Sequence, residues 1–508
     1  MATLTKVGGD AVDKFPAPVY AETVLAVNFE DATKYFLEAL LEIHYAHTLM
    51  LAKQGIISPA EATVCLRALQ LLDRDAIRKA TYDGTFEDLF FYIEGQLAAC
   101  CDAEIIGKMH TARSRNDIDI TLYRMCYRRE LLALAQQLLE IENLLLQLAE
   151  KHVGTLMPAY THTQPAQPTT LAHYLMAAVE FIGRDISRLK AAFATINKSP
   201  LGACAITTTG FPIDRHYTEE LLGFEGLQVN SYGAIGAIDY VAEAASGVAV
   251  CMVNLGKLVQ DLLLWCTKEY GFLRLRDAYV QISSIMPQKR NPVSLEHTRI
   301  LASKAFVQAQ GVLGTAHNTP FGDIVDSEDD LQPLVFSMFA DARRALQLFA
   351  GVISNCDVQE QRMRQAAHEN FLSVTELADT LVRDERLSFR AAHHLVSEAV
   401  KAVGPVYDRD RMVDQMLALA PQVIGRSLTV SRARLNEALD PVHFVAVRTI
   451  VGGPGLPAIT DQIREAQEGI AIDRAWLQQK RGLLQAYVDK IHEAAAMWTG
   501  NNNENHAG

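Results

Sequence analysis

The sequence predicts an all-α protein, and three observations predict it. Apolar residues recur at spacings of three and four along several long stretches. No alternating apolar/polar run of strand length is bounded by turns, and no βαβ rhythm appears. Of the 508 residues, 49% are hydrophobic and 21% charged, enough apolar surface for a large buried core. At roughly 150 residues per domain, this length suggests about three domains.

The clearest helical stretch is Glu130 to Glu150, where Leu131, Leu134, Leu138, Ile141, Leu145 and Leu148 share one stripe and Glu140, Glu142 and Gln147 fall elsewhere. Thr170 to Ile196 has the same habit. Val241 to Glu269 is apolar nearly all round, with Gly247 and Gly256 inside. Such a helix must be surrounded by others, and Ala242, Ala244, Ala245, Gly247 and Ala249 would let them approach closely. These stretches predict a large bundle, continued across a subunit interface. Breakers predict loops at Lys108–Asn116, Met157–Pro168, Lys198–Asp214, Ala278–Pro292 and Asn318–Pro333. A helical stretch resumes near Ser373, and the polar tail WTGNNNENHAG is expected to fray. Boundaries near residues 112 and 365 divide the chain into 1–112, 113–365 and 366–508.

A net charge of −13 argues against nucleic-acid partners and anionic membranes. Cys65, Cys100, Cys101, Cys126, Cys204, Cys251, Cys266 and Cys356 form no C-x-x-C pair and lie mostly in apolar stretches, as in a reduced, cytoplasmic protein. The start MATLTKVGGDAVDKF lacks the apolar stretch of a signal peptide. The nearest candidate for a membrane span, Ala244 to Trp265, contains Lys257 and Asp261, so no membrane association is expected.

Three loops could carry chemistry. In GKMHTARSRND, Ser114, Arg115 and Asn116 open a helical segment, where unpaired N–H groups, the helix dipole and a guanidinium suit a carboxylate. Alone, the motif also reads as a capped, solvated turn. In YTHTQPAQP, His162 stands among hydroxyls and amides and could relay a proton, although a structural histidine fits as well. In SSIMPQKRNP, Pro287 and Pro292 exclude helix, while paired serines, Lys289 and Asn291 can surround an anion formed during reaction. Gly453-Pro-Gly455-Leu-Pro-Ala458 imitates a dinucleotide fingerprint, but its prolines and the lack of a preceding strand make it a false match. His44 with His47, and His393 with His394, lack a Cys or carboxylate at ligand spacing and read as core or surface histidines, so no metal is expected.

Taken together, these loops resemble the fumarase/aspartase superfamily and, within it, the argininosuccinate lyase branch. SSIMPQKRNP is similar to the superfamily signature, HTARSRND to the branch's HTGRSRND, and YTHTQPAQP to its YTHLQ-x-AQP segment. LGACAITTTGFPIDR, QDLLLWCTKEYGF and LADTLVRDERLSFRAAHH align in kind, so the resemblance runs from about residue 20 to 485. It implies a homotetramer with a central bundle of many helices, active sites each drawn from three subunits, and no cofactor. The implied reaction is β-elimination of an amine from an N-substituted aspartate, giving fumarate. By the same resemblance Ser283 is the base on a mobile loop. Lys289 and Asn291 hold the carboxylate that becomes an aci-carboxylate dianion, and Ser284 and Met286 line the same loop. His162, backed by Glu296, relays a proton to the leaving amine. Ser114, Arg115, Asn116, Thr161, Gln164 and Asn28 bind the succinyl part.

Departures from the branch fall on the amine side. Val293 stands where an Asp usually follows the loop's NP; Pro320-Phe-Gly-Asp-Ile-Val-Asp-Ser-Glu-Asp329 lacks the usual Tyr and basic residue; and Phe90 replaces the His of an EDIH stretch. The usual Ser of the N-terminal segment is Asn28. Val293, Asp323 and Ile324 therefore become amine-pocket candidates. The expected substrate is an aminopolycarboxylate of the ethylenediaminedisuccinate type, with argininosuccinate as the alternative. A non-catalytic, crystallin-like role and a metal-dependent hydrolase are the readings from other classes.

Overall fold

The computed structural model describes residues 15–500. The initial MATLTKVGGDAVDK and the last part of the tail, 501–508, lie outside the described residues. The tail's Trp498, Thr499 and Gly500, expected to fray, continue the final helix Leu456–Gly500.

Five long helices organise the molecule: α1 (Arg115–Lys151), α2 (Leu171–Ile196), α3 (Asp239–Trp265), α4 (Val293–Ala316) and α5 (Gln332–Ser354). They pack in a closed ring, α1 on α2, α2 on α3, α3 on α4, α4 on α5 and α5 back on α1. The three-and-four spacing sends Leu131, Leu134, Leu138, Ile141 and Leu145 of α1 into this core. α3 departs from its expectation in two ways. It ends at Trp265 rather than 269. It also keeps a mixed outward stripe of Glu243, Ser246, Val250, Val253, Lys257 and Gln260 at alternating three- and four-residue steps. The Ala and Gly content disguised this stripe, because small residues sit on any face. By length and composition alone α3 could cross a membrane, yet Tyr240, Val248, Leu255 and Trp265 are buried against its neighbours. Gly247 faces α2, where a Cβ would lie 3.4 Å from Leu189, an ordinary contact, so an alanine would fit there as well.

The same continuous core takes in residues of 29–109 and, from the last helix, Ile459, Ile470, Leu477, Tyr487, Ile491 and Ala495. A separate core of Leu377, Leu381, Leu395, Met412, Met416 and Leu435 lies among the helices Val374–Glu385, Phe389–Val403, Arg409–Val423 and Arg432–Ala438. Between these helices and the last one, the false dinucleotide motif is a tight turn: a Cβ on Gly453 or Gly455 would meet the Arg448 carbonyl oxygen at 2.3 or 2.7 Å.

Strands are few but consequential. The loop expected at Met157–Pro168 is an antiparallel hairpin of β1 (Leu156–Thr161) and β2 (Gln164–Thr170), with a bulge between Ala159 and Tyr160. Pro158, Pro165 and Pro168 hid it, since proline lacks the ladder N–H and is tolerated only at edges and bulges. The loop expected at Ala278–Pro292 is likewise pinned by a short ladder, β3 (Gln281–Ile282) against β4 (Arg290–Asn291), pairing Gln281 with Asn291.

Candidate active site

Ser114 caps α1. Its Oγ accepts the Asn116 N–H, while the Ser114 N–H donates to Asp117 Oδ1 at 2.9 Å, a reciprocal capping box. Asp117 is fully buried, and its other oxygen accepts the Gly202 and Cys204 N–H groups at 2.8 and 2.9 Å. Asn116 donates to the Ala205 carbonyl at 3.1 Å. The HTARSRND turn is thus bolted to the 202–205 segment. Burial pushes the Asp117 carboxyl up to about 6, against the pull of the Ser114, Cys204 and Gly202 N–H groups and Arg113. Ala112 sits at φ 61°, the left-handed region that favours the glycine of the HTGRSRND pattern. The Cys204 thiol donates to the Ala112 carbonyl at 3.2 Å.

A cavity of about 250 Å³ opens beside this turn. Asn28, from the helix Ala26–Tyr35, joins Arg115 and Asn116 in lining it, as does Asp323 from the segment before α5. Ile324 is half-buried next to it but is not in the lining, whereas Val325 is. The cavity is acidic. Glu87, Asp88, Asp119, Glu328 and Asp329 complete its charge, and Arg115, the cation among its lining residues, is bound to Glu87 at 3.0 Å and Asp88 at 2.7 Å. Burial, followed by Asp329, Asp88 and Glu328, holds the Asp119 carboxyl far above its ordinary value. Burial and a hydrogen bond shared with Asp323 push Glu328 up to about 8. Burial also raises Asp329, although it accepts the Tyr123 hydroxyl at 2.9 Å. Asp119 and Tyr123 were missed at the sequence level. The signal was present, since they follow Arg115 at helix spacings of four and eight.

The other predicted residues do not line this cavity. Thr161 and Gln164 end the strands of the β1/β2 hairpin, and His162 and Thr163 form its two-residue turn at φ 52° and 61°. This is the primed geometry that matches strand twist, adopted without the glycine that usually supplies it, and a β-branched residue at positive φ is strained. Thr161, His162 and Gln164 are all exposed. Behind the hairpin's base, a larger cavity of about 470 Å³ between Tyr160, Tyr174, Trp265 and Phe444 holds none of the predicted side chains.

The signature loop spans the β3/β4 stem. Ser283 Oγ accepts the Met286 N–H at 3.1 Å, closing a local turn. Arg290 ties the stem down through the Leu275 carbonyl at 2.7 Å and through Asp277. Ser284, Met286 and Lys289 are exposed, and Asn291 is half-buried. Glu296 lies exposed in the first turn of α4; within one chain neither it nor His162 makes a side-chain hydrogen bond among the described residues. Val293 opens α4 in a shallow groove with Tyr279, His297 and Gly351, apart from Asp323. One chain therefore gathers the Asn28, Arg115, Asn116 and Asp323 group, and carries the hairpin tip and the signature loop as two further, outward-facing groups. Among the described residues no His, Cys, Asp or Glu group is arranged to hold a metal ion.

Comparison with known proteins bears on the family of the chain. A family profile described as a lyase matches residues 93–307, and one described as the argininosuccinate lyase C-terminal region matches residues 371–446. The chain is 41% identical over 444 residues to argininosuccinate lyase 2 of Agrobacterium fabrum, covering 87% of this chain and 88% of that protein. It is 37% identical over 461 residues to argininosuccinate lyase of Methanoculleus marisnigri, covering 91% and 93%. Among solved structures, a variant of EDDS lyase with bound fumarate superposes with a TM-score of 0.84 at 31% identity, over 97% of this chain and 99% of that one.

Proposed function

The chain belongs to the argininosuccinate lyase family of the fumarase/aspartase superfamily, and on that premise we propose that it is a carbon–nitrogen lyase catalysing the reversible β-elimination of an amine from an N-substituted aspartate, with release of fumarate. The chemical difficulty is a weakly acidic C–H beside a carboxylate. Its removal leaves an aci-carboxylate dianion, so the site must supply a base on one face, cations and N–H donors at the carboxylate, and a proton for the departing nitrogen.

Ser283 is the base, activated as its loop closes and its hydroxyl comes under the field of Lys289. Lys289 and Asn291 receive the dianion's charge. His162 delivers the proton to the amine, oriented by Glu296. Ser114, Arg115, Asn116, Thr161 and Gln164 orient the succinyl carboxylates. The observation that carries this reading is the form of the signature loop: it is pinned at Gln281–Asn291 and by Arg290, while its tip from Ser284 to Lys289 is exposed and held by two local turns, Ser283–Met286 and Met286–Lys289. A flap free at its tip and fixed at its root can carry a base onto a bound substrate.

Because the hairpin tip and the flap face outward from the chain that holds the Arg115 cavity, the complete site is assembled from several copies in a homotetramer. The valines of the α3 stripe, Val250 and Val253, with Ile300 and Val307 of α4, supply apolar surface for that contact. Sedimentation of the purified protein at four times the chain mass is the expected result.

The substrate is proposed to be an aminopolycarboxylate of the EDDS type, on the strength of the Val293 and Pro320–Asp329 departures and the likeness to EDDS lyase. A second reading, argininosuccinate as substrate, is favoured by the acidic lining of the cavity, which suits a leaving amine with a further cationic nitrogen. Incubating the enzyme with fumarate and a panel of amines, and following loss of fumarate absorbance, separates them: addition of arginine with diamine-derived aminocarboxylates inert selects the second.

A further inference from the structure

Beneath the HTARSRND turn, away from the cavity and the flap, several nitrogen atoms are buried without partners. Arg113 is 7% exposed, and among the described residues its Nε and Nη1 meet no acceptor. His44, from the helix Leu37–Lys53, is 1% exposed with both ring nitrogens unpartnered, and Nδ1 of His110 is in the same condition. These groups surround one side chain. The Phe90 ring lies 5.6 Å from the His44 ring and 5.0 Å from the His110 ring, and the Arg113 guanidinium carbon is 5.6 Å from its centre. Neighbouring His47 differs, because its Nε2 is satisfied by the Thr111 carbonyl at 2.8 Å.

A buried guanidinium without an acceptor is among the least favourable arrangements a protein can hold, and it calls for a counter-charge or a hydrogen-bonding guest. The protein's own carboxylates do not supply one. Asp117 acts on Arg113 only through space, because its oxygens already receive the Ser114, Gly202 and Cys204 N–H groups. Glu94, facing from the helix Leu89–Cys100, also acts at a distance.

We propose that Arg113, His44 and His110 form a buried site for one small monovalent anion of halide size, which ties the substrate-binding turn to the helix Leu37–Lys53. One negative charge is the number that fits. Burial, then Arg113, keeps the His44, His47 and His110 imidazoles neutral near pH 7, so Arg113 is the fixed cation; burial lowers its own pKa to about 10. The remaining titratable groups facing the cluster are Cys65, beside Arg113, and Arg115, beside His110. An anion here favours protonation of His44 and His110, so by linkage it binds more tightly as pH falls.

The test uses the assembled, full-length protein and chloride as the probe. At constant ionic strength, replacing gluconate by chloride is expected to raise Tm saturably, by about 1–3 °C, and by more at pH 6.5 than at pH 8.5. Arg113→Met, which keeps the side chain's bulk, should abolish the chloride effect. Should that variant not assemble, His44→Leu leaves the guanidinium and His110 in place and is expected to reduce the pH dependence of the effect. Crystals soaked in bromide should show an anomalous peak beside Arg113. Equal Tm in the two salts for the unmodified protein, or a chloride response unchanged in both variants, overturns the site in favour of buried water. Neither reading of the substrate enters these measurements.

Discussion

The Ser114–Asn116 turn and the Ser283–Lys289 flap are both polar loops at the mouth of a long helix, yet they are built in opposite ways. The first is locked by a capping box, by Asp117 reaching the Gly202 and Cys204 N–H groups, and by Asn116 on Ala205. The second has a rooted stem and a tip held only by two local turns, Met286 N–H on Ser283 Oγ and Lys289 N–H on the Met286 carbonyl. Recognition of a carboxylate gains from donors fixed before the substrate arrives. A base that must approach a carbon acid needs freedom to close. The difference teaches where rigidity is spent in this fold.

Substitutions on the two sides of this contrast should therefore act on different quantities. Ser283→Ala is expected to lower turnover by 10²–10⁴-fold, about the range of general base catalysis, while fumarate binding measured by calorimetry is retained; near-normal turnover would remove Ser283 from the base role. Lys289→Ala should cost at least ~10²-fold in the fumarate absorbance assay, with Tm unchanged because its side chain is exposed. On the locked side the effect moves to stability. Asp117→Ala leaves the Ser114, Gly202 and Cys204 N–H groups without their carboxylate and should destabilise by about 2–4 kcal/mol, read as a lowered denaturation midpoint.

Further along the same helix, Glu142 sharpens the point. It is 5% exposed with one oxygen unpartnered, and burial, reinforced by Asp473, pushes its carboxyl up to about 8 from 4.5. The folded chain then holds this proton where the unfolded chain has released it, so stability falls as pH rises from about 4.5 through about 8. Glu142→Gln should flatten that slope and raise Tm most above pH 8. The smallest expected effect is at Ala112, where Ala112→Gly relieves the left-handed strain and should stabilise by about 1 kcal/mol in chemical denaturation.

The bundle was legible in residues 130–150 and 170–196, because a leucine stripe of helical period has one outcome when long enough. The outward stripe of α3 was not, since Ala, Gly and Ser report their face weakly. The β1/β2 hairpin was hidden by prolines 158, 165 and 168, which suppress the alternation that marks a strand. Within the site, Arg115 and Asn116 stood out by motif, and Asn28 and Asp323 by departure from a pattern; all four line one cavity. Asp119 belongs to no motif, and Glu328 and Asp329, which close the Pro320–Asp329 stretch, acquire meaning beside it only when α1 and the segment before α5 meet. The grouping of His44 with Arg113 required the fold as well, since 68 residues of chain lie between them.

The contact between Cys204 and Ala112 has a practical consequence. Burial, then Asp117, pushes the Cys204 thiol up to about 12, so it offers almost no thiolate at neutral pH. Cys100, by contrast, lies exposed at the end of the helix Leu89–Cys100. Alkylating dyes should mark Cys100 and spare the seam under the Ser114–Asn116 turn, which provides a fluorescent handle 14 positions before Ser114 and lets the protein be handled without a reductant guarding that seam.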